Sequence, residues 1–195
     1  MPRAFINSRA IVEEHIFIAK RFFENQSDKI NEIADLLVRT LQAGNKVLLF
    51  GNGGSAADAQ HIASELVGRF QYDRPGLPAI ALTTDSSALT SIANDYGYEF
   101  LFARQIEALG QKGDVAIALS TSGRSANIKE GVLAAKGRGL VTIGLLGKEG
   151  GQVRELVDHA LVVDAQKTAR IQEIHILIGH ILCEAIEQEL YQRRM

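Results

Sequence analysis

Apolar residues recur at helical spacing along the first forty-odd positions. Val12, Ile16, Ala19 and Phe23 make one stripe, flanked by Ile11 and Phe22, with Ser8 placed to cap it. Ile30, Ile33, Leu37 and Leu41 make another, with Ser27 or Asp28 as its cap and Gly44 as its stop. The pattern predicts two successive amphipathic helices over 1–44. Their apolar faces look larger than one small domain needs, so subunit contacts are expected there.

The pattern then changes. Short, continuous apolar runs occupy 46–50 (KVLLF), 79–82, 115–119, 141–146 and 160–163, and helical segments such as 56–68 alternate with them. Uninterrupted apolar strands alternating with helices indicate a parallel sheet buried on both faces. With right-handed crossovers, five such runs give an α/β fold: a three-layer α/β/α sandwich around a five-stranded parallel sheet. No linker or low-complexity stretch interrupts it. The expectation is a single domain over 1–195, with 1–44 as a helical extension and 45–195 as the α/β core.

Composition narrows the classes. Of 195 residues 46% are hydrophobic and 23% charged, which is enough apolar material for a core without staples. The net charge is −2 with no long basic run, so no electrostatic footprint for nucleic acid exists; the basic tail 192–195 reads as a complement to a helix end. Cys183 is the sole cysteine, excludes an intramolecular disulfide, and reads as a small buried hydrophobe. Glu13 and Glu14 interrupt any signal-peptide core, and no apolar run approaches the ~20 residues of a membrane helix. A cytoplasmic protein with no membrane partner is expected.

Ligands of open parallel sheets bind beyond the carboxyl ends of the strands. There the chain places Gly51, Asn52, Gly53, Gly54 and Ser55, then Ser120, Thr121, Ser122, Gly123, Arg124 and Ser125, each run leading into a helix. Helix starts offer free N–H groups and a positive dipole end, and hydroxyls add neutral donors, so two such loops favour a phosphate. The first loop matches neither G-x-G-x-x-G nor the lysine-bearing P-loop. A small sugar phosphate fits best.

A second constellation is protonic or metallic. His61 and Glu65 are four apart on one helix face. On the last helix His180 points opposite the stripe Ile171, Ile174, Ile178, Leu182 and Ala185. Glu173 lies about 20° from His180 and Gln172 about 80° away. Two histidines with carboxylate and amide oxygens suit a zinc-like site, and spacing leaves open whether Gln172 or Glu173 faces it. His175 lies near the apolar stripe and reads as a packed, hydrogen-bonded core histidine. Asn94 and Asp95 offer polar contacts or an ordinary helix cap.

The segments GNGGSAADAQHIASEL (51–66), ALTSIAND (88–95), STSGRSANI (120–128) and RIQEIHILIGH (170–180) together resemble the bacterial sedoheptulose-7-phosphate (phosphoheptose) isomerases of the sugar isomerase (SIS) domain superfamily. The resemblance implies conversion of sedoheptulose 7-phosphate to D-glycero-D-manno-heptose 7-phosphate. That reaction opens ADP-heptose synthesis for the lipopolysaccharide core or related glycans. It further implies a homotetramer with active sites at subunit contacts. Carried over, Ser55, Ser120, Thr121, Ser122 and Ser125 match the phosphate loops, and Asn52, Gly53, Gly54, Asn94 and Asp95 match further substrate contacts. His61, Glu65, Gln172 and His180 match the zinc ligands, which selects Gln172 over Glu173. Glu65 and Gln172 also match substrate contacts. Glu65 is implied as the base and His180 as its acid/base partner.

Two alternatives share the fold: a non-catalytic adaptor that binds the replication initiator, and a sugar-phosphate sensor. The adaptor branch lacks counterparts of Glu65 and His180, and this chain has both. Ala169 stands where some of the isomerases carry Asp, and Arg124 where Asn is usual.

Overall fold

The computed structural model describes residues 6–191; the basic tail 192–195 lies outside them. One helix, α1 (Ser8–Gln42), replaces the two expected over 1–44. No Gly or Pro interrupts the stretch. Asn25 and Ser27, at the expected break, fold back onto the helix instead, donating to the carbonyls of Arg21 and Phe23. Nothing there offers the backbone a better partner than the helix itself. Asn7, not Ser8, caps the start by accepting from the N–H of Ala10. Gly44 turns the chain out of the helix in the left-handed region (φ 79°).

The remaining elements are β1 (Val47–Gly51), α2 (Gly54–Val67), β2 (Ala79–Ala81), α3 (Ser86–Asp95), α4 (Leu101–Leu109), β3 (Val115–Ser120), α5 (Ala126–Gly137), β4 (Val141–Gly147), β5 (His159–Val163) and α6 (Thr168–Leu190). All strands are parallel, in the order β2-β1-β3-β4-β5. Side chains alternate between two cores. Val47, Leu49, Ile117 and Leu145 face α1, α2 and α6, whereas Leu48, Phe50, Ala118 and Leu146 face α4 and α5. Strand order reverses between β1 and β3, so their carboxyl ends open the crevice at which such sheets bind ligands.

α2 and α6 cross closely because Gly179 has no side chain; a Cβ there would stand 2.5 Å from Cδ1 of Ile62. His61 and His180, the immediate neighbours of that contact, are thereby brought together. Among the described residues no helix is long and apolar enough to cross a membrane.

Candidate functional site

A cavity of about 230 Å³ opens at the ends of β1 and β3, lined by Asn52, Gly54, Ser55, Leu119, Ser120, Thr121, Ser122, Ser125, Thr168 and Gln172. A larger crevice of about 630 Å³, between α1 and the 148–164 segment, shares none of these residues. The smaller cavity carries the concentrated hydroxyls and the helix starts. α2, α5 and α6 all begin at its wall, and none of the three has a side-chain cap or an acidic residue in its first turn. Away from it, α1 and α3 are capped by the side chains of Asn7 and Asp85. Three open helix starts around one cavity make a concentrated anion-binding field.

The loops are held from behind. Asn52 Nδ2 donates to Asn127 Oδ1 and Asn127 Nδ2 donates to Asn52 Oδ1, both at 2.9 Å, and the Tyr98 hydroxyl donates to the same Asn52 oxygen at 3.0 Å. Asn127 is buried. Ser120 Oγ accepts from the N–H of Gly123, whose positive φ of 61° lets the loop press onto Gly150. Gly54 leaves room for Gln172, since a Cβ there would sit 2.4 Å from Gln172 Nε2.

The second cluster lies further along the same helices. His61 Nε2 stands 3.1 Å from His180 Nε2 and 3.2 Å from Glu65 Oε1. Two donors on one zinc ion in tetrahedral geometry stand about 3.3 Å apart, so donor types and spacing around His61 fit a small divalent ion. Among the described residues no three His, Cys, Asp or Glu side chains form an ion cage; these three meet around His61 Nε2, which is hydrogen-bonded to His180 and within ion-pair distance of Glu65. Nearby, burial raises the Asp58 carboxyl above its ordinary value against the pull of His61, and its Oδ2 is buried with no protein partner.

Gln172 belongs to the cavity. It lies eight residues before His180 on α6, about 12 Å along the axis. Glu173, the alternative left by spacing, turns away to His15 of α1 (2.7 Å) and to Arg170. Asn94 and Asp95 close α3, where Asn94 Nδ2 donates to Asp95 Oδ1 on the surface, and neither lines the cavity. Gly53 is exposed at the loop tip with φ 57°. His175 is in the core as expected: burial lowers it to about 4 against the upward pull of the Leu146 backbone, although neither ring nitrogen reaches a partner in full hydrogen-bond geometry. Cys183 is a buried thiol pushed up to about 12 by burial and then by Glu65. Arg124 reaches outward to Glu149 at 3.9 Å.

Sequence reasoning missed Asn127, Tyr98 and Thr168 around the cavity. It also missed the Arg74–Glu187 pair behind the second cluster. Glu187 carried a signal, because it falls four residues after Cys183 and three before Leu190 on a buried face. Asn127 carried none, since an asparagine in a first helical turn is ordinary.

The SIS domain family matches residues 12–147. A phosphoheptose isomerase of Sulfurimonas denitrificans is 50% identical over 182 residues, 92% of this chain and 93% of the relative. One of Roseiflexus sp. is 52% identical over 93% of this chain and 92% of the relative. The chain belongs to the phosphoheptose isomerase family. Solved phosphoheptose isomerases share the architecture. That of Neisseria gonorrhoeae superimposes with a TM-score of 0.88 at 42% identity, covering 93% of this chain and 97% of its own. That of Francisella tularensis gives 0.90 at 37%, covering 94% and 100%.

Proposed function

We propose that this phosphoheptose isomerase family member converts sedoheptulose 7-phosphate to D-glycero-D-manno-heptose 7-phosphate, the opening step of ADP-heptose synthesis, in the cytoplasm. The observation that carries the reading is the cavity where three uncapped helix starts meet the hydroxyls of Ser55, Ser120, Thr121, Ser122, Ser125 and Thr168. It suits a phosphomonoester held by neutral donors and helix dipoles.

The rest follows from proton chemistry. Moving the carbonyl from C2 to C1 requires a proton to leave C1 and one to arrive at C2 through an enediol, with protons exchanged on the two oxygens. Glu65 takes and returns the carbon-bound proton, and His180 serves the oxygens. His61, Glu65 and His180 would hold a zinc ion, which when bound supplies Lewis-acid polarisation of the substrate oxygens; Gln172, the fourth ligand implied by the resemblance, lies about 12 Å along α6 from His180 and would join them only across a subunit contact.

Assembly completes the site. Gln172 and His180 are separated along α6, and the side chain of His61 is 49% exposed. Val12, Ile16 and Phe17 of α1 are also more than half exposed. A homotetramer that covers this apolar face and brings a phosphate cavity against a His61–Glu65–His180 cluster accounts for both. Incubation of purified protein with sedoheptulose 7-phosphate is expected to yield the aldose, and Glu65→Gln to abolish turnover without changing the sedimentation of the tetramer. Retained sugar-phosphate binding with no turnover, metal supplied, would point to a sensor instead.

A further inference from the structure

Behind the His61–Glu65–His180 cluster lies an ion pair that the reaction itself does not use. Arg74 Nε donates to Glu187 Oε1 at 2.7 Å, and both side chains are wholly excluded from solvent. The carboxylate also accepts the backbone N–H groups of Phe70 (2.8 Å), Gln71 (2.7 Å) and Tyr72 (3.0 Å). Burial alone would raise this carboxyl; the donated hydrogen bonds overcome that and hold it below the ordinary range. The guanidinium donates in turn to the carbonyls of Glu65 (2.8 Å), Leu66 (2.9 Å) and Pro75 (3.0 Å). A cation therefore closes the negative end of α2 at the residue bearing the candidate base.

The segment held by Glu187 reaches the other proton carrier. The Phe70 ring lies against the His180 imidazole, centroids 5.5 Å apart with planes tilted by 31°. Glu187 and His180 are seven residues apart on α6, and so nearly on one face. One buried pair thus grips the backbone of Glu65 with one arm and the aromatic neighbour of His180 with the other. A buried ion pair is weak evidence for stability, because apolar residues of similar volume often serve as well. Its placement calls for another reason.

We propose that Arg74, Glu187 and Phe70 are positioning residues that fix the Glu65 carboxylate and the His180 imidazole relative to one another, a reading that rests on the isomerase assignment above. Neither Arg74 nor Glu187 touches substrate. They act through the last turn of α2 and the Phe70 ring.

Phe70 carries the test, because it can change without stranding a buried charge. In full-length protein, Phe70→Leu is expected to lower kcat roughly 10- to 100-fold with KM for sedoheptulose 7-phosphate little changed, as for other groups that orient a reactive side chain. Its melting temperature should stay near wild type. The ring-proton resonances of His180, read by NMR on labelled protein, should move as the neighbouring ring is lost. Phe70→Tyr, which keeps the ring, should restore both rate and resonances. Arg74→Lys keeps the charge, but its three N–H donors on one nitrogen cannot span Glu187 and three carbonyls together. Assayed well below its melting temperature, it should show the same kcat loss. Wild-type kcat and unmoved His180 resonances in Phe70→Leu would overturn the proposal, as would a rate loss that Phe70→Tyr fails to restore. Absence of isomerase activity in the wild type would instead overturn the functional reading, and the resonance measurement would still report the ring contact.

Discussion

Asn52 and Asn127 exchange both of their side-chain hydrogen bonds, at 2.9 Å in each direction, and so tie the turn after β1 to the first turn of α5. With Tyr98 also donating to it, the Asn52 oxygen is saturated, and what its amide can still offer is an N–H. Asn127→Ala would leave a half-buried amide short of two bonds. A stability loss of about 1–3 kcal/mol is expected, with a larger proportional loss in kcat/KM. Asn127→Asp sets an acceptor against the Asn52 oxygen and should be no better than Ala. Thermal melts and kinetics of both variants check this; an Asp variant equal to wild type would refute the two-way exchange between Asn52 and Asn127.

Gly54→Ala is expected to spare the fold and damage the site. The atom nearest an added Cβ is the end of the flexible Gln172 side chain, which can swing away without moving backbone. Melting temperature should hold while turnover falls. Equal losses in both would contradict the idea that Gly54 makes room for Gln172.

Gly179→Ala should do the reverse in order of cause. Here a Cβ meets Ile62 at Cγ1 and Cδ1 in the contact between α2 and α6, so the helices must part or Ile62 must leave its rotamer. Overpacking of this kind costs about 1–3 kcal/mol. It also pulls His61 from His180, so the variant should lose turnover even at temperatures where circular dichroism shows it folded.

Acid sensitivity begins at His175. Folded, it takes up a proton only near pH 4; unfolded, near 6.5. Between those values the unfolded chain binds more protons, so stability is complete above about 6.5 and declines as pH falls toward 4, by about 3 kcal/mol in all. Glu187 adds a second loss lower down. Its folded carboxyl is depressed, so its contribution persists above the unfolded value near 4.5 and disappears as pH falls through the folded one. Denaturant melts against pH should show both limbs. His175→Leu should flatten the limb between 6.5 and 4 and leave the lower one; an unaltered upper limb would exclude His175 as its source.

The strands and the β1 and β3 loops were legible because continuous apolar runs followed by Gly and Ser clusters admit few other readings. Eight residues singled out from the sequence do line one cavity, from Asn52 and Gly54 to Gln172. The break in the first helix was misread because Ser27 and Asp28 resemble a cap. A Ser side chain can equally bond back to the carbonyl four residues earlier, as Ser27 does to Phe23, and local sequence does not distinguish the two. Helical spacing grouped His61 with Glu65 correctly but could not separate Gln172 from Glu173. That choice depends on α1, whose His15 takes Glu173 away. Asn127 and Arg74 were invisible for the same reason: their partners lie 75 and 113 positions away.

The three helix starts around the cavity would set how this protein meets the proposed ligand in solution. Among the residues lining it there is no lysine or arginine, so the attraction for phosphate proposed above would come from backbone dipoles fixed in the scaffold. Such a field neither titrates nor reorients, and counter-ions penetrate a half-enclosed cavity poorly. Capture of the sugar phosphate should therefore tolerate raised ionic strength and a rising pH better than capture by flexible ammonium groups would.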